Sequence, residues 1–564
     1  MTRFSTVHFR GLLLASTAAM AVDFLMSLTD RVIAGNLLGE KALAGLGLCT
    51  AMNQFALFVT LLVAMGASIR YLSAVGRFDE DGACRVFGCG LIASVGVGVL
   101  LAAGLLFGGG PYLGLFSADA ATLGYASDYW RWFAVSQGLL PLQTYLLIMV
   151  YSDGDESTCL AAYPVQLGVN ALASWLLCRA YGATGCALGT LCGYLAASVT
   201  LAYHFLRPVN ALRFRWWFSF RELWAMVKSC FADSAVRLCW AVMSFVICRE
   251  TGRVDPGMLP VAAAVTAFTG LSVVFDGVPE AAQPLLEVYY GEKNFRRVRT
   301  LMRTATKAVV VEGLVMTAVA VAAPRFVLRL IGIDNPEILD AAASAVRIVG
   351  LSMVFWALAA IYNSYYQYIE RPVVAGMLVF MKDLLMPLAA VLLGVRFAGL
   401  DGLWAGYSAS APIALLLFAA GLRMRFGADR FPLLVPRSRD AKTFVWDLRV
   451  SERGASMVSR RLAVALKSAG AGHDAARMAP LIVEETLMLI RERNGTRKVM
   501  AEVMLDLNER PTLIIRDDGE IFDLTDADQR VASFRTYLVA ELMHTQKERR
   551  NLTTTGFNRN RFVF

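Results

Sequence analysis

The sequence predicts an all-α polytopic membrane protein of twelve transmembrane helices in two six-helix repeats, followed by a small α/β sandwich domain. Three observations carry this. Long apolar runs recur through residues 1–425. The connections between those runs repeat at a fixed offset. Past Arg430 the pattern turns into the strand-and-helix periodicity of a soluble domain.

Of 564 residues, 57% are hydrophobic and 18% charged, against roughly a quarter charged in ordinary soluble domains. Mean hydropathy is +0.53. The apolar runs lie at 11–30, 43–66, 86–107, 130–151, 160–178, 185–206, 230–249, 257–279, 307–328, 345–368, 374–394 and 400–421. Each is about twenty residues, the length that crosses a bilayer core at 1.5 Å per residue. The first run holds Asp23 and Asp30 and lacks a small-residue cleavage site, so it is expected to be a span and not a signal peptide.

Basic residues set the expected orientation. With the N-terminus inside, the inner connections collect twenty Lys and Arg and the outer ones seven. This predicts that both ends are cytoplasmic. The net charge of +9 is then a topology signal, and no nucleic-acid partner is needed to explain it. All ten cysteines fall between Cys49 and Cys248, without metal-type spacing. They read as reduced packing residues, and no metal site is expected.

The two halves superimpose at one constant offset, which places Asp119 over Asp334, Tyr151 over Tyr366, Asp155 over Glu370 and Gly76 over Gly291. With a small slip Gly185 falls over Gly402. An even number of helices per repeat gives both halves the same orientation, with a cleft between the lobes. That architecture suits a transporter.

"SLTDRVIAGNLLGEKALAGLGL" (27–48), the stretch from "DGDES" into "GATGCALGT" (153–190), and "GVPEAAQPLLEVYYGEKN" (277–294) together resemble the multidrug and toxic compound extrusion (MATE) exporters. The resemblance implies export of amphiphilic, often cationic, drugs or metabolites, driven by H⁺ or Na⁺ entry. It also implies that Asp30 is the ion-linked acid and that Asn170 belongs to the same site. Where that family places a second acid, one turn after the Asn, this chain has Ser174. Asp23, two turns before Asp30, could supply the missing carboxylate.

Ionisable side chains at membrane depth cost at least ~2.5–3.5 kcal/mol and are functional candidates by default. In the second half these are Asp276 and Glu280, four apart on the expected eighth helix, and Lys382 and Asp383 in the eleventh. Adjacent helical residues point about 100° apart, so Lys382 and Asp383 are expected to pair with other helices and not with each other. Asp233 and Arg237 are spaced for an ion pair. Glu312 is expected to snorkel to the interface. The stretch "RFRWWFSFRELWAMVKS" (213–229) mixes Arg with Trp and Phe, as suits a helix in the headgroup layer.

In the tail, "KTFVWDLRV", "KVMAEVMLDL", "PTLIIRD" and "NRFVF" read as strands, and 451–468, 474–493 and 529–547 as helices. It resembles the ATP-binding domain of the histidine-kinase/anti-sigma-factor type. "LIVEETLMLIRER" (481–493) is similar to its N-box helix and "LIIRDDGEIFDL" (513–524) to its Asp-x-Gly box. The resemblance implies nucleotide contacts at Glu485, Asp517 and Gly519. The Mg²⁺-binding Asn falls at Leu489, which cannot ligate a metal, and no glycine-rich phosphate lid is evident. A degenerate sensor of a nucleotide or a protein partner is expected, not an active ATPase.

The expected organisation is thus an N-lobe (1–210), an interfacial linker (211–229), a C-lobe (230–425), a second linker (426–441) and a cytoplasmic domain (442–564). The leading expectation is a non-enzymatic secondary exporter of small molecules in the lipid bilayer. Two alternatives stay open: a membrane receptor signalling through its tail, and a lipid or oligosaccharide flippase, for which a more basic cavity is expected.

Overall fold

The structure is a computed structural model. It describes all residues except 1–3, 76–78, 208–209, 211, 437–440, 471–472, 509, 521–547 and 553–557. The first half is built from α1 (Phe4–Leu38), α2 (Glu40–Leu48), α3 (Thr50–Val75), α4 (Glu80–Leu113), α5 (Ala120–Ser152), α6 (Glu156–Tyr181) and α7 (Ala183–Ala202). The second half follows as α8 (Phe220–Val254), α9 (Leu259–Thr269), α10 (Gly277–Gly291), α11 (Phe295–Ala322), α12 (Pro324–Leu330), α13 (Pro336–Gly350), α14 (Met353–Tyr368), α15 (Pro372–Val379) and α16 (Met386–Phe426). The tail holds α17 (Glu452–Ser468), α18 (His473–Asn494) and strands β1 (Thr443–Arg449), β2 (Met500–Asp506), β3 (Thr512–Asp517), β4 (Glu548–Leu552) and β5 (Asn558–Val563).

Among the described residues, eight helical stretches are long and apolar enough to cross a membrane, or ten if each of two bent pairs is one span. In one of these pairs, Phe220–Phe231 is bent by 71° from Ser234–Val254. The basic-aromatic stretch has no regular secondary structure over 212–219 and is helical only from Phe220.

The duplication read in the sequence has a backbone counterpart. Helices starting at Glu80, Ala120 and Glu156 recur at Phe295, Pro336 and Pro372, at the offset that aligns the two halves of the sequence or within one position of it. The turn between α6 and α7 is made at Gly182 (φ 60°, ψ −140°). Gly399, its counterpart in the second half, breaks α16 with φ 59° and ψ −138°. This left-handed conformation is open to glycine and strained for other residues. The following glycines do equivalent work: a Cβ on Gly185 would lie 2.1 Å from Leu177 C, and one on Gly402 would lie 2.0 Å from Gly394 O.

The chain divides into two compact units. One comprises residues 17–277 and 308–418, which include most of both halves. The other joins residues 1–16, 278–307 and 419–564. In this second unit the sheet is fully antiparallel, in the order β1-β2-β3-β5-β4. α17 and α18 cover one face through a core that includes Leu462, Ile482, Leu487, Val503, Ile515 and Phe562. The expected strands and first two helices are thus present, with β4 in addition; the helix expected at 529–547 lies outside the described residues.

The sheet face turned away from these helices carries a row of charge. Register places Asp447, Glu502, Arg516 and Arg559 side by side across β1, β2, β3 and β5. Like charges directly opposite one another destabilise a sheet. Glu502 and Arg516 pair directly across β2 and β3 at 2.8 Å, and the elbow between α10 and α11 supplies the remaining counter-charges. Arg297 pairs with Asp447 (2.5 Å) and Glu502 (2.8 Å). Glu292 pairs with Arg516 (2.6 Å) and Arg559 (2.5 Å). Tyr289 donates its hydroxyl to Glu502 at 3.2 Å and lies under the Arg516 guanidinium. The first turns of α1 join the same unit: Phe4 N donates to Asp447 Oδ1 at 3.1 Å, and Phe4 and Phe9 are buried.

Candidate functional site

Asp30 lies near the C-terminal end of α1 and points at the α6–α7 pair. Ser174 of α6 donates its hydroxyl to Asp30 Oδ1 at 3.2 Å, and Thr190 of α7 donates to Oδ2 at short range. Asn170, one turn before Ser174, completes the cluster, with its amide 3.5 Å from the Thr190 hydroxyl. A stripe of glycines on α7 lets the two helices approach this closely. A Cβ on Gly189 would lie 2.0 Å from Ser174 Oγ, and one on Gly193 would lie 2.9 Å from Asn170 Cβ. Ser174, which replaces the expected second acid, therefore serves the site as a hydroxyl donor. Sequence reasoning misses Thr190; its signal is its place directly after Gly189 in that stripe.

Arg31 does not lock Asp30. Its guanidinium donates to Thr50 Oγ1 at 2.9 Å. Asp23 belongs to α1, but its side chain lies outside the described residues, as does that of Asp233.

Asp30, Asn170 and Thr190 line a cavity of about 390 Å³ whose wall comes from both halves. The second half contributes Arg237, Trp240, Lys382, Asp383 and Tyr407. Lys382 and Asp383 depart from expectation: they pair with each other, Nζ to Oδ1 at 2.5 Å. The reason is local. Phe380–Leu385 forms a π-helical segment between α15 and α16, and its wider turn changes the angular spacing of an ordinary helix. Trp240 Nε1 reaches the same carboxylate oxygen at 3.4 Å.

The other acids of the second half are also rearranged. The expected eighth helix is broken, because a 3₁₀ segment (Gly270–Asp276) separates α9 from α10. Asp276 closes that segment and Glu280 opens α10, so no single regular helix carries both. Glu312 sits midway along α11 with Oε2 buried, not snorkelled to an end, and it interacts electrostatically with Asp276.

On the far side of Asp30 from the helix start, α1 ends against the second half. A Cβ on Gly35 would lie 1.8 Å from Ile331 O, and one on Gly332 would lie 2.2 Å from Gly35 C. Asn36 donates to Leu330 O at 3.0 Å, and Glu40 accepts from the backbone N–H groups of Asp334 (3.1 Å) and Asn335 (2.6 Å). The two halves are shut backbone to backbone at this edge.

In the tail, Asp517 is fully buried at the end of β3. Its Oδ1 accepts from Gly519 N and Asn558 Nδ2, both at 3.0 Å. Burial pushes its pKa up to about 6, against the lowering effect of those two hydrogen bonds. Gly519 is packed against Asn494, whose Nδ2 would lie 2.6 Å from an added Cβ. Leu489, at the expected metal-ligand position, belongs to the apolar core. Glu485 lies on α18 and is half-buried. Among the described residues no group of His, Cys, Asp and Glu could hold a metal ion.

The MatE family profile matches residues 15–176 and 234–392, the corresponding helices of both halves and more than half of the chain. The chain belongs to the MATE family. It is therefore a membrane transporter and not an enzyme. A multidrug-resistance MATE transporter of the MOP superfamily, in an inward-facing conformation, shares the fold at a TM-score of 0.65 and 20% identity, covering 71% of this chain and 94% of that one. The MATE multidrug transporter DinF-BH aligns at 0.62 and 19% identity, over 75% and 98%. A MOP superfamily transporter from Pyrococcus furiosus aligns at 0.57 and 20% identity, over 75% and 96%. No curated protein matches the sequence. The family match ends before the tail.

Proposed function

We propose that this MATE protein is a secondary exporter of amphiphilic small molecules, driven by H⁺ or Na⁺, with a tail that regulates it from the cytoplasm. The observation that carries the proposal is Asp30. It is an acid at membrane depth, on a cavity wall shared by both halves, held by two hydroxyls and not by a fixed counter-ion. A carboxylate so placed can exchange a proton or a Na⁺, because its partners can both accept and donate. Asn170 and Thr190 are the groups that would sense its state and pass it to α6 and α7. The closed edge at Gly35 and Gly332 is the gate that substrate release would open.

A count of twelve spans is what this reading takes from the helices. To the ten spans that count each bent pair once are added α1 and a division of Pro372–Phe426 at Gly399. Those 55 residues would otherwise extend about 80 Å, far beyond one bilayer core. The basic inner connections support cytoplasmic ends, with lobes at 1–210 and 230–425. The bent Phe220–Phe231 segment, with Trp224 and Phe220 exposed, suits the headgroup layer. The regulatory reading of the tail rests on the charge row. It ties the sheet to the elbow that ends α10 and begins α11, so a ligand or protein partner that shifts the sheet would also shift that elbow.

Asp30→Asn tests the coupling role. In everted vesicles the variant should express and fold as the wild type does, yet lose gradient-driven export. Unchanged export would show that Asp30 does not couple the cycle.

A further inference from the structure

Resting on the exporter reading, the cavity wall also assigns a charge class to the cargo: we propose that it takes an amphiphilic organic anion, an aromatic body bearing a carboxylate, sulfonate or phosphate. Among the described residues, the wall's Lys, Arg, Asp and Glu side chains are Arg31, Arg237 and Lys382 against Asp30 and Asp383. Three positive charges less two negative ones leave +1 when both acids are ionised.

The acids are already engaged from the protein side. Asp30 takes the hydroxyls of Ser174 and Thr190. Asp383 Oδ1 takes the Lys382 ammonium at 2.5 Å and the Trp240 indole at 3.4 Å. An organic cation entering the cavity therefore meets carboxylates that already carry protein donors, Asp383 on Oδ1 and Asp30 on both oxygens.

The arginines are placed differently. Arg31 gives one hydrogen bond to the neutral Thr50 hydroxyl, and Arg237 lies over the Trp240 ring, 5.4 Å from its centroid. Neither has a carboxylate at ion-pair distance among the described residues. A guanidinium carries five N–H donors, so both keep donors for a ligand. Their fork matches the two oxygens of a carboxylate, sulfonate or phosphate. Tyr163, Trp240 and Trp356 supply aromatic faces for the body of the molecule. The volume of about 390 Å³ falls within the roughly 300–1,000 Å³ of sites for drug-sized ligands.

Fluorescein and a cationic rhodamine ester share a xanthene ring and carry opposite charge, so they isolate the sign. Their equilibrium binding to the full-length protein in nanodiscs is read by fluorescence anisotropy. Fluorescein should bind at least about tenfold more tightly. Arg237→Gln should weaken it by about tenfold, and Arg237→Lys, which keeps the charge but loses the fork, should restore only part of the loss. Asp30→Asn, which removes a negative charge, should tighten fluorescein and weaken rhodamine. A preference for rhodamine, binding of neither dye, or fluorescein affinity unmoved by both Arg31→Gln and Arg237→Gln would overturn the assignment. Gradient-driven efflux from vesicles is measured beside it. Efflux without anion preference defeats the charge class alone, whereas anion preference without efflux defeats the exporter reading alone.

Discussion

Glu292→Gln is the sharpest perturbation of the tail. Glu292 is 1% exposed and is the counter-charge to Arg516, 3% exposed, and to Arg559. These two arginines are direct cross-strand partners, so removing the carboxylate leaves Arg559 without its counter-charge against Arg516, which keeps only its 2.8 Å pair with Glu502. Breaking a buried pair by removing one partner costs about 3–5 kcal/mol. The glutamine keeps the shape and one acceptor, which favours the lower end. Against a whole-domain stability of about 5–15 kcal/mol, that is a large fraction. Hydrogen–deuterium exchange of the β2, β3 and β5 amides in the full-length protein measures it. A loss of about 3 kcal/mol speeds exchange roughly 150-fold. The double variant Glu292→Met with Arg516→Met removes both partners, so its loss should be smaller than the sum of the two single losses by at least about 1 kcal/mol. Acceleration of less than about fivefold in Glu292→Gln, or strict additivity in the double variant, would refute the charge-row argument.

The gate and the tail give further tests. Gly35→Ala places a Cβ 1.8 Å from Ile331 O, where ordinary contact begins at 3.4 Å, so this edge must part or strain. At about 1–3 kcal/mol for such overpacking, the closed population should fall roughly 5- to 150-fold. Distances between spin labels placed genetically at Leu37 and Glu337 should lengthen, and an unchanged distribution would count against the gate. Asp517 has a folded pKa of about 6 against an unfolded 3.8. Between those values the folded state binds more protons, so its contribution to tail stability declines as pH rises from about 4 to about 6, by roughly 3 kcal/mol. Asp517→Asn should stabilise the tail at pH 7.5 and flatten that slope, and thermal unfolding of the tail across pH reads it out. With Leu489 in the core, the full-length protein should show no Mg²⁺-dependent ATP hydrolysis attributable to its tail; turnover abolished by Asp517→Asn would contradict this.

Much of the fold is legible in the sequence because its signals are local. Apolar length marks the spans, and Gly182 and Gly399 mark equivalent turns whose backbone angles only glycine takes freely. The tail strands are short alternating or continuously apolar runs, and the structure shows them within a residue or two. The rest depends on contacts between distant segments. Asp30 and Asn170 can be named from the sequence, but Thr190 joins them only because a glycine stripe draws α7 onto α6. Lys382 and Asp383 are expected apart because an ordinary helix separates adjacent residues, and a π-helical turn cannot be read from the hydrophobic pattern. The 3₁₀ break that parts Asp276 from Glu280 is hidden for the same reason. The charge row needs strand register and an elbow far removed along the chain, and no periodicity reports either.

The central claim is that an ion gradient, acting through Asp30, drives solute across the membrane. The most direct measurement reconstitutes the full-length protein in liposomes without nucleotide and imposes an H⁺ gradient and a Na⁺ gradient in turn. Fluorescein movement is followed in each case. Uphill movement under one of the two gradients, lost in Asp30→Asn and accompanied by dissipation of that gradient, is the predicted result. Movement that never exceeds equilibrium under either gradient, or that persists in Asp30→Asn, would contradict it.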